Sequence, residues 1–143
     1  MPLAYRPTAI VVKQAMTILP GVLTPVGGLT AGTAVGIVLN GPNKEYAPVG
    51  AGTNARTFAG FLLQSVAQGQ SGIIVTTRGS IVTPLVEGGI PLVAGGEVWL
   101  AATAGRVTQT APSGDGQYVL RLGHAISTTE MMVTTDTLVH IAS

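Results

Sequence analysis

Large apolar residues occupy alternate positions in several short segments of this chain. The clearest alternation lies in 117–122, where Tyr118, Leu120 and Leu122 face one way and the intervening residues face the other. A period of two residues predicts a strand with one buried face. Similar runs rich in Val, Ile, Thr and Leu recur between glycines and prolines. They predict further strands in the second half of the chain, over 72–79, 80–86, 97–103, 106–110, 131–134 and 137–141.

Glycine and proline divide the chain at short intervals, with 20 glycines and 9 prolines among 143 residues. Ala104-Gly105 predicts a tight turn between two strands. The segment 112–116 predicts a loop, because its glycines accept positive φ and Asp115 can bond to the local backbone. Short strands separated by such turns are typical of sandwiches and barrels. We therefore predict an all-β fold, an antiparallel β-barrel or β-sandwich, with the second half arranged as a meander.

Two interpretations compete for the segment 55–67. A helix would bring Phe61 and Val66 to one face, whereas a strand would bury Phe61 and Leu63. Gly60 in the middle of the segment costs a helix about 1 kcal/mol relative to alanine. The sequence therefore favours a strand here.

The first fifty residues differ from the rest in composition, since six of the nine prolines fall among them. Only short strands are predicted there, around 10–12 and 35–39. The segment 1–50 is thus either an extended, Pro/Gly-rich arm that docks on a neighbouring molecule or a set of peripheral strands. The segment 51–143 is expected to form the barrel or sandwich itself.

The surface predicted for this fold carries unusually little charge. Charged residues make up 9% of the chain and the formal net charge is +1, whereas ordinary globular domains have about 25% charged residues. The hydrophobic fraction of 46% excludes disorder as the reason. A weakly charged surface suits a chain that buries much of itself against neighbours.

Three classes of partner are disfavoured. The longest uncharged stretch, from Gln14 to Asn43, is interrupted by prolines and glycines, so no membrane span or secretion signal is predicted. The few lysines and arginines are scattered singly, which disfavours nucleic acid. The chain has no cysteine, so thiolate metal sites and disulfides are excluded.

Candidate catalytic residues do not form a recognisable set. His124 and His140 lack the spacing of a metal site, and no phosphate-binding loop or nucleophile elbow occurs. A pair of carboxylates acting as in a glycosidase stays open on sequence alone, although such clefts are usually rich in aromatic residues and this chain has few. Trp99 is expected in the core, with a sugar-stacking platform as the alternative. We predict no enzyme activity, no cofactor, no metal and no small-molecule substrate.

The order of motifs in the second half resembles a known family. Its motifs are Gly-Ile-Ile-Val-Thr-Thr-Arg-Gly (72–79), Pro-Leu-Val-Ala-Gly-Gly-Glu-Val-Trp-Leu-Ala (91–101), Ala-Gly-Arg-Val-Thr-Gln-Thr-Ala-Pro-Ser-Gly (104–114) and Leu-Gly-His-Ala-Ile-Ser (122–127). This order resembles the capsid decoration proteins, also called cement or head-stabilising proteins, of tailed bacteriophages. The resemblance covers about half of the chain.

The resemblance implies a β-domain that sits on the outer surface of the phage capsid, often as a homotrimer. It implies that the partner is the major capsid protein and that this chain bridges adjacent capsid subunits and so stabilises the shell. It also implies synthesis in the cytoplasm of a bacterial host. The alternatives are a virion-surface or carbohydrate-binding module for host recognition, and a subunit of the tail or the head–tail joint.

The surface that contacts the capsid or another subunit is expected in the first fifty residues, because they are almost uncharged and rich in proline. The candidate interface residues are Tyr5, Arg6, Ile10, Val12, Leu19, Leu23, Val35, Ile37 and Leu39.

Overall fold

The computed structural model describes residues 16–18, 22–76, 78–134 and 139–140, without the side chains of 16–18, 56 and 139–140. The regular structure in this part of the chain is almost all β, with no helix of seven or more residues. Two single turns of 3₁₀ helix, Ala55–Thr57 and Glu87–Gly89, interrupt it. The strands are β1 (Met16–Ile18), β2 (Val22–Leu23), β3 (Ala34–Asn40), β4 (Asn43–Pro48), β5 (Phe58–Leu62), β6 (Ile73–Val75), β7 (Ile81–Val82), β8 (Glu97–Leu100), β9 (Val107–Thr108), β10 (Tyr118–Val119), β11 (Arg121–Ala125), β12 (Met131–Val133) and β13 (Val139–His140).

The first sheet has six strands in the order β1-β6-β5-β3-β4-β2 and curls into half a barrel. Adjacent strands within this sheet are antiparallel, except that β2 and β4 run parallel. The longest strands, β3 and β4, form a hairpin whose turn lies at Gly41 and Pro42. This hairpin is therefore the most extended element of the described chain.

The second sheet has five strands in the order β7-β12-β11-β8-β9, and β10 pairs separately with β13. The predicted meander is wrong, because β11 lies between β12 and β8 and strands adjacent in the chain are often not adjacent in the sheet. Alternation of apolar residues indicates which face of a strand is buried, but it does not indicate which strand lies next to it in the sheet.

The main core lies between the two sheets. Phe61 and Val75 of the first sheet pack in one cluster with Leu100, Leu122 and Met131 of the second. Ala34 and Val49, from the first fifty residues, belong to the same cluster. Residues 34–49 are therefore integral to the domain.

A second, smaller cluster covers the other face of the first sheet. It consists of Val22, Val35, Tyr46, Leu62 and Ile74, all at most 4% exposed. The first sheet is thus covered on both faces around β5 and β6, which fits the continuous apolar composition of these two strands.

The prediction of an all-β fold is confirmed. The segment 55–67 contains β5, as favoured, after one 3₁₀ turn. Leu120 and Leu122 are buried as the alternation predicts. Observed strands are shorter than predicted, because glycine- and proline-rich turns begin early: β8 ends at Leu100 and β7 ends at Val82. No helix in the described ranges is long and apolar enough to cross a membrane.

Candidate interaction surface

A loop of residues 90–96, the apolar loop, connects the second 3₁₀ turn to β8. Its backbone is held against the end of β11 and the segment that follows it. The Leu92 N–H donates to the Thr128 carbonyl at 2.9 Å, and the Gly95 N–H donates to the Ala125 carbonyl at 2.7 Å. Ala125 in turn donates to the Gly96 carbonyl at 2.8 Å. The loop is therefore fixed although it has no regular secondary structure.

The side chain of Gln109 holds the outer edge of the apolar loop. Its Oε1 accepts the Val93 N–H at 2.7 Å, and its Nε2 donates to the Val93 carbonyl at 2.9 Å. One amide group thus satisfies both backbone groups of one residue, as a neighbouring strand would. Gly96 lies against this amide, and a Cβ there would be 2.7 Å from Gln109 Nε2. Glycine at 96 therefore makes room for Gln109.

Three large aliphatic side chains face solvent on these two adjoining segments. Ile90 is 64% exposed, Val93 is 69% exposed and Ile126 is 37% exposed. Leu92, between the first two, points inward and is 2% exposed. We call Ile90, Val93 and Ile126 the apolar patch. We take this patch as the candidate contact surface, because exposed apolar residues that are grouped together mark sites where proteins meet other molecules.

A groove of about 450 Å³ adjoins the apolar patch at Ile90. One wall is Pro84, Leu85 and Val86, and the other is Pro91 with Thr128 and Thr129. Arg106 also lines the groove, and its Nη1 donates to the Val86 carbonyl at 3.0 Å. The groove is therefore mostly apolar, and Thr83, Thr128 and Thr129 add hydroxyl groups to its lining.

The tip of the β3–β4 hairpin, residues 39–44, offers a second exposed apolar group. Val35, Ile37 and Leu39 alternate along one face of β3. Val35 is fully buried, Ile37 is half-buried against the second cluster, and Leu39 is 75% exposed. Burial of this face thus decreases towards the tip, and Leu39 is exposed to solvent.

The predicted interface residues are distributed unevenly. Tyr5, Arg6, Ile10, Val12 and Leu19 lie outside the described residues. Leu23 is half-buried in β2, while Val35 and Ile37 pack in the second cluster. Among the described candidates only Leu39 presents most of its side chain to solvent.

Trp99 is not a core residue, so that prediction is wrong. It is half-buried in β8, between Val98 and Leu100, which are both fully buried on the opposite face. Trp99 pairs across the sheet with Arg121 of β11 and Thr108 of β9. The apolar neighbours of Trp99 in sequence favour the core, whereas β8 alternates and buries only Val98 and Leu100 fully.

Of the polar candidates for chemistry, His124 and Glu97 are paired directly across β11 and β8, whereas Glu87 lies in the second 3₁₀ turn. Glu87 accepts hydrogen bonds from the backbone and hydroxyl of Thr103, and Glu97 pairs with Arg121. His124 is half-buried on β11 opposite Met132. Within the described ranges, no three His, Cys, Asp or Glu side chains are grouped so that they could hold a metal ion. His140 lies in β13, and its side chain is outside the description.

Sequence reasoning did not single out Ile90, Val93 and Ile126. Ile90 and Val93 stand in the stretch Gly-Gly-Ile-Pro-Leu-Val-Ala-Gly-Gly, which is an apolar segment enclosed by glycine pairs. The sequence does contain a signal for this surface, because these apolar residues lie in a predicted turn region and not in a strand.

The chain was compared with protein-family models and with curated proteins. No family model matches it, and no curated protein shows significant similarity.

Proposed function

We propose that this chain is a structural virion protein that decorates the outer surface of a tailed-phage head and stabilises the shell by bridging major capsid protein subunits. The observation that carries the proposal is the apolar patch, three exposed aliphatic side chains on a backbone fixed by Gln109 and by the segment after β11. The motif resemblance over the second half of the chain selects a capsid as the partner.

A fixed apolar patch is suited to binding a folded protein surface. A loop that is already ordered loses little conformational entropy on binding, so more of the burial energy appears as affinity. The patch itself carries no charged residue, and the cores of protein–protein interfaces are likewise depleted of charge.

The modest size of the patch is compatible with firm attachment to a shell. Three aliphatic side chains support a weak contact when taken alone. A decoration protein that bridges subunits makes several such contacts at once, and linked contacts gain affinity as the second binding event becomes intramolecular. Bridging stabilises a shell through binding alone and needs no turnover.

The test uses heads prepared from a phage in which this gene is deleted. Purified chain added to these heads should co-sediment and saturate at a fixed number of copies per capsomer. Replacing Val93 by serine should weaken binding about tenfold, because an apolar side chain is lost from the contact. Val26→Ser is the matched control, since Val26 is 84% exposed but lies in a turn away from the patch.

Two results would contradict the proposal. One is the absence of co-sedimentation at concentrations that saturate known decoration systems, together with retention on immobilised glycans, which would favour the carbohydrate-binding alternative. The other is equal loss of binding in Val93→Ser and Val26→Ser, which would place the contact elsewhere.

A further inference from the structure

Among the described residues that line the groove beside the apolar patch, Arg106 is the one that carries a charge, and it is half-buried. Partial burial is costly for a cation unless an opposite charge accompanies it. The rest of the lining offers aliphatic contacts, from Pro84, Leu85, Val86, Ile90 and Pro91. The groove therefore matches an occupant that has an aliphatic part beside an anion.

The Arg106 guanidinium has N–H groups left for a ligand. Its Nη1 donates to the Val86 carbonyl at 3.0 Å, and no carboxylate of the described residues forms an ion pair with it. Glu87, which follows Val86 in the chain, is engaged elsewhere, because its Oε1 accepts hydrogen bonds from the N–H and the hydroxyl of Thr103. A guanidinium has five N–H groups in a planar fork that fits a carboxylate. Arg106 can thus bind an incoming carboxylate while it holds Val86.

The main chain of the groove wall formed by Pro84, Leu85 and Val86 is already engaged. Pro84 has no N–H to donate. The Leu85 N–H donates to the Gly32 carbonyl at 3.1 Å, and the Leu85 carbonyl accepts the Val107 N–H at 2.8 Å. The Val86 carbonyl accepts the guanidinium bond described above. An occupant is therefore held through its side chains, and not by adding a strand to this wall.

The groove is suited in size and position to one short segment of the molecule that covers the apolar patch. Its volume of about 450 Å³ lies within the roughly 300–1,000 Å³ that are typical of sites enclosing a small ligand. It thus holds a few side chains, and not the surface of a whole domain. Ile90 both lines the groove and belongs to the apolar patch. A partner seated on the patch is therefore placed to insert a segment next to it.

We propose that the groove receives an extended segment of the major capsid protein that carries an aspartate or a glutamate beside an aliphatic residue. The aliphatic side chain packs on Leu85 and Ile90, and the carboxylate forms a forked ion pair with Arg106. The identity of the partner rests on the proposed function, whereas the composition of the segment follows from the lining of the groove. Arg106 is thereby the residue that determines which segment is accepted.

The first test measures the affinity of the chain for undecorated heads at several salt concentrations. Arg106→Gln should weaken binding about tenfold at low salt and should flatten the salt dependence, because an ion pair that salt screens is lost. Arg106→Lys keeps the charge without the fork, so the salt dependence should persist while affinity falls less. Arg121→Gln is the matched control, since Arg121 pairs with Glu97 outside the groove lining. It should bind heads as the native chain does, and circular dichroism melting verifies that each variant is folded.

Photo-cross-linking identifies the segment, and the chain is suitable because it has no cysteine of its own. Thr129→Cys places a benzophenone maleimide at the exposed threonine side of the groove. Irradiation on heads should attach it to one capsid segment, within about three residues of an acidic residue beside an aliphatic one, which is the reach of the reagent along an extended chain. Val26→Cys, labelled in the same way, should not attach there. A synthetic peptide of the segment should bind the isolated chain, and about tenfold more weakly once its carboxylate is replaced by an amide.

Three results would overturn the inference and leave the proposed function standing. One is head binding by Arg106→Gln with the affinity and salt dependence of the native chain. Another is attachment of the reagent to capsid segments that have no acidic residue within its reach, or to a second copy of this chain. The third is equal binding of the peptide and its amide form. Failure of the native chain to bind heads at all would instead overturn the proposed function, so the two failures are distinguishable.

Discussion

Tyr46 combines burial with a hydrogen bond at the centre of the second cluster. Its side chain is fully buried, and its hydroxyl donates to the Gly72 carbonyl at 3.1 Å. Burial raises the pKa of the Tyr46 phenol above its ordinary value of 10.0, because the phenolate would lose its hydration. Ionisation of the Tyr46 phenol at alkaline pH should therefore destabilise the folded chain.

Replacing Tyr46 by phenylalanine should destabilise the chain by about 1 kcal/mol at neutral pH, since the buried Gly72 carbonyl loses its donor. A pKa raised in the folded state contributes stability that is complete below the unfolded pKa and is lost as pH rises through the folded one. The difference between the native chain and Tyr46→Phe should therefore shrink above pH 10 or so. Urea unfolding at a series of pH values measures it, and a difference independent of pH would contradict this account.

At the residue scale, alternation predicted correctly that Leu120 and Leu122 are buried. It failed for Trp99, because a short run of apolar residues does not show whether a strand has one covered face or two. The exposed position of Leu39 was not distinguishable from that of Val35 in the sequence. The two residues have the same strand face and similar hydrophobicity, and differ only in distance from the hairpin turn.

The apolar loop has no regular structure and is held by backbone hydrogen bonds to residues 125–128 and by one side chain, that of Gln109. Gln109 satisfies the N–H and the carbonyl of Val93, and these groups face solvent at the edge of the second sheet. A second glutamine has a comparable role elsewhere, because Gln117 Oε1 accepts the Gly114 N–H at 2.8 Å. The two loops provide a matched comparison.

Gln109→Ala should loosen the apolar loop without unfolding the sheets. Amide hydrogen exchange at Val93 should accelerate about tenfold or more, and affinity for undecorated heads should fall because the loop must be ordered on binding. Gln117→Ala should accelerate exchange at Gly114 alone and leave head binding intact. Equal head binding by native chain and Gln109→Ala would show that order in this loop is irrelevant to attachment.

The positions of most strands were predictable because glycine and proline mark their ends. Pairing was not predictable. The β11 strand lies between β12 and β8, and β2 runs parallel to β4. Strand pairing depends on the paths of the loops and on long-range packing of the core. A local pattern of residue types carries no information about either.

At the scale of the whole molecule, residues 34–49 share one core with the second half of the chain. Ala34 and Val49 pack with Phe61 and Leu100. The sequence predicts attachment in the first fifty residues, and this stays a prediction. Exposed aliphatic residues occur in both halves, Val26 and Leu39 in the first and Ile90, Val93 and Ile126 in the second. The apolar loop was not predicted, because strand patterns do not show which turns are held rigidly.

The fold shows where the exposed apolar residues and the few charged residues of this weakly charged chain lie. Apart from Val26, the large exposed aliphatic groups of the described residues lie on the apolar patch and the hairpin tip. Charged residues are few near these surfaces: Lys44 and Glu45 at the tip, and Glu87, Arg106 and Glu130 in or beside the groove in sequence. A molecule of this kind has surfaces suited to contacting protein on more than one side, as a bridge between subunits requires.

The most direct measurement of the central claim is a cryo-electron-microscopy difference map between phage heads that contain this chain and heads from the gene deletion. The account predicts added density on the outer surface of the shell, at a fixed number of copies per capsomer, into which the two-sheet domain fits. Its apolar loop should face the major capsid protein. Identical head maps, or added density confined to the tail or the head–tail joint, would contradict the assignment.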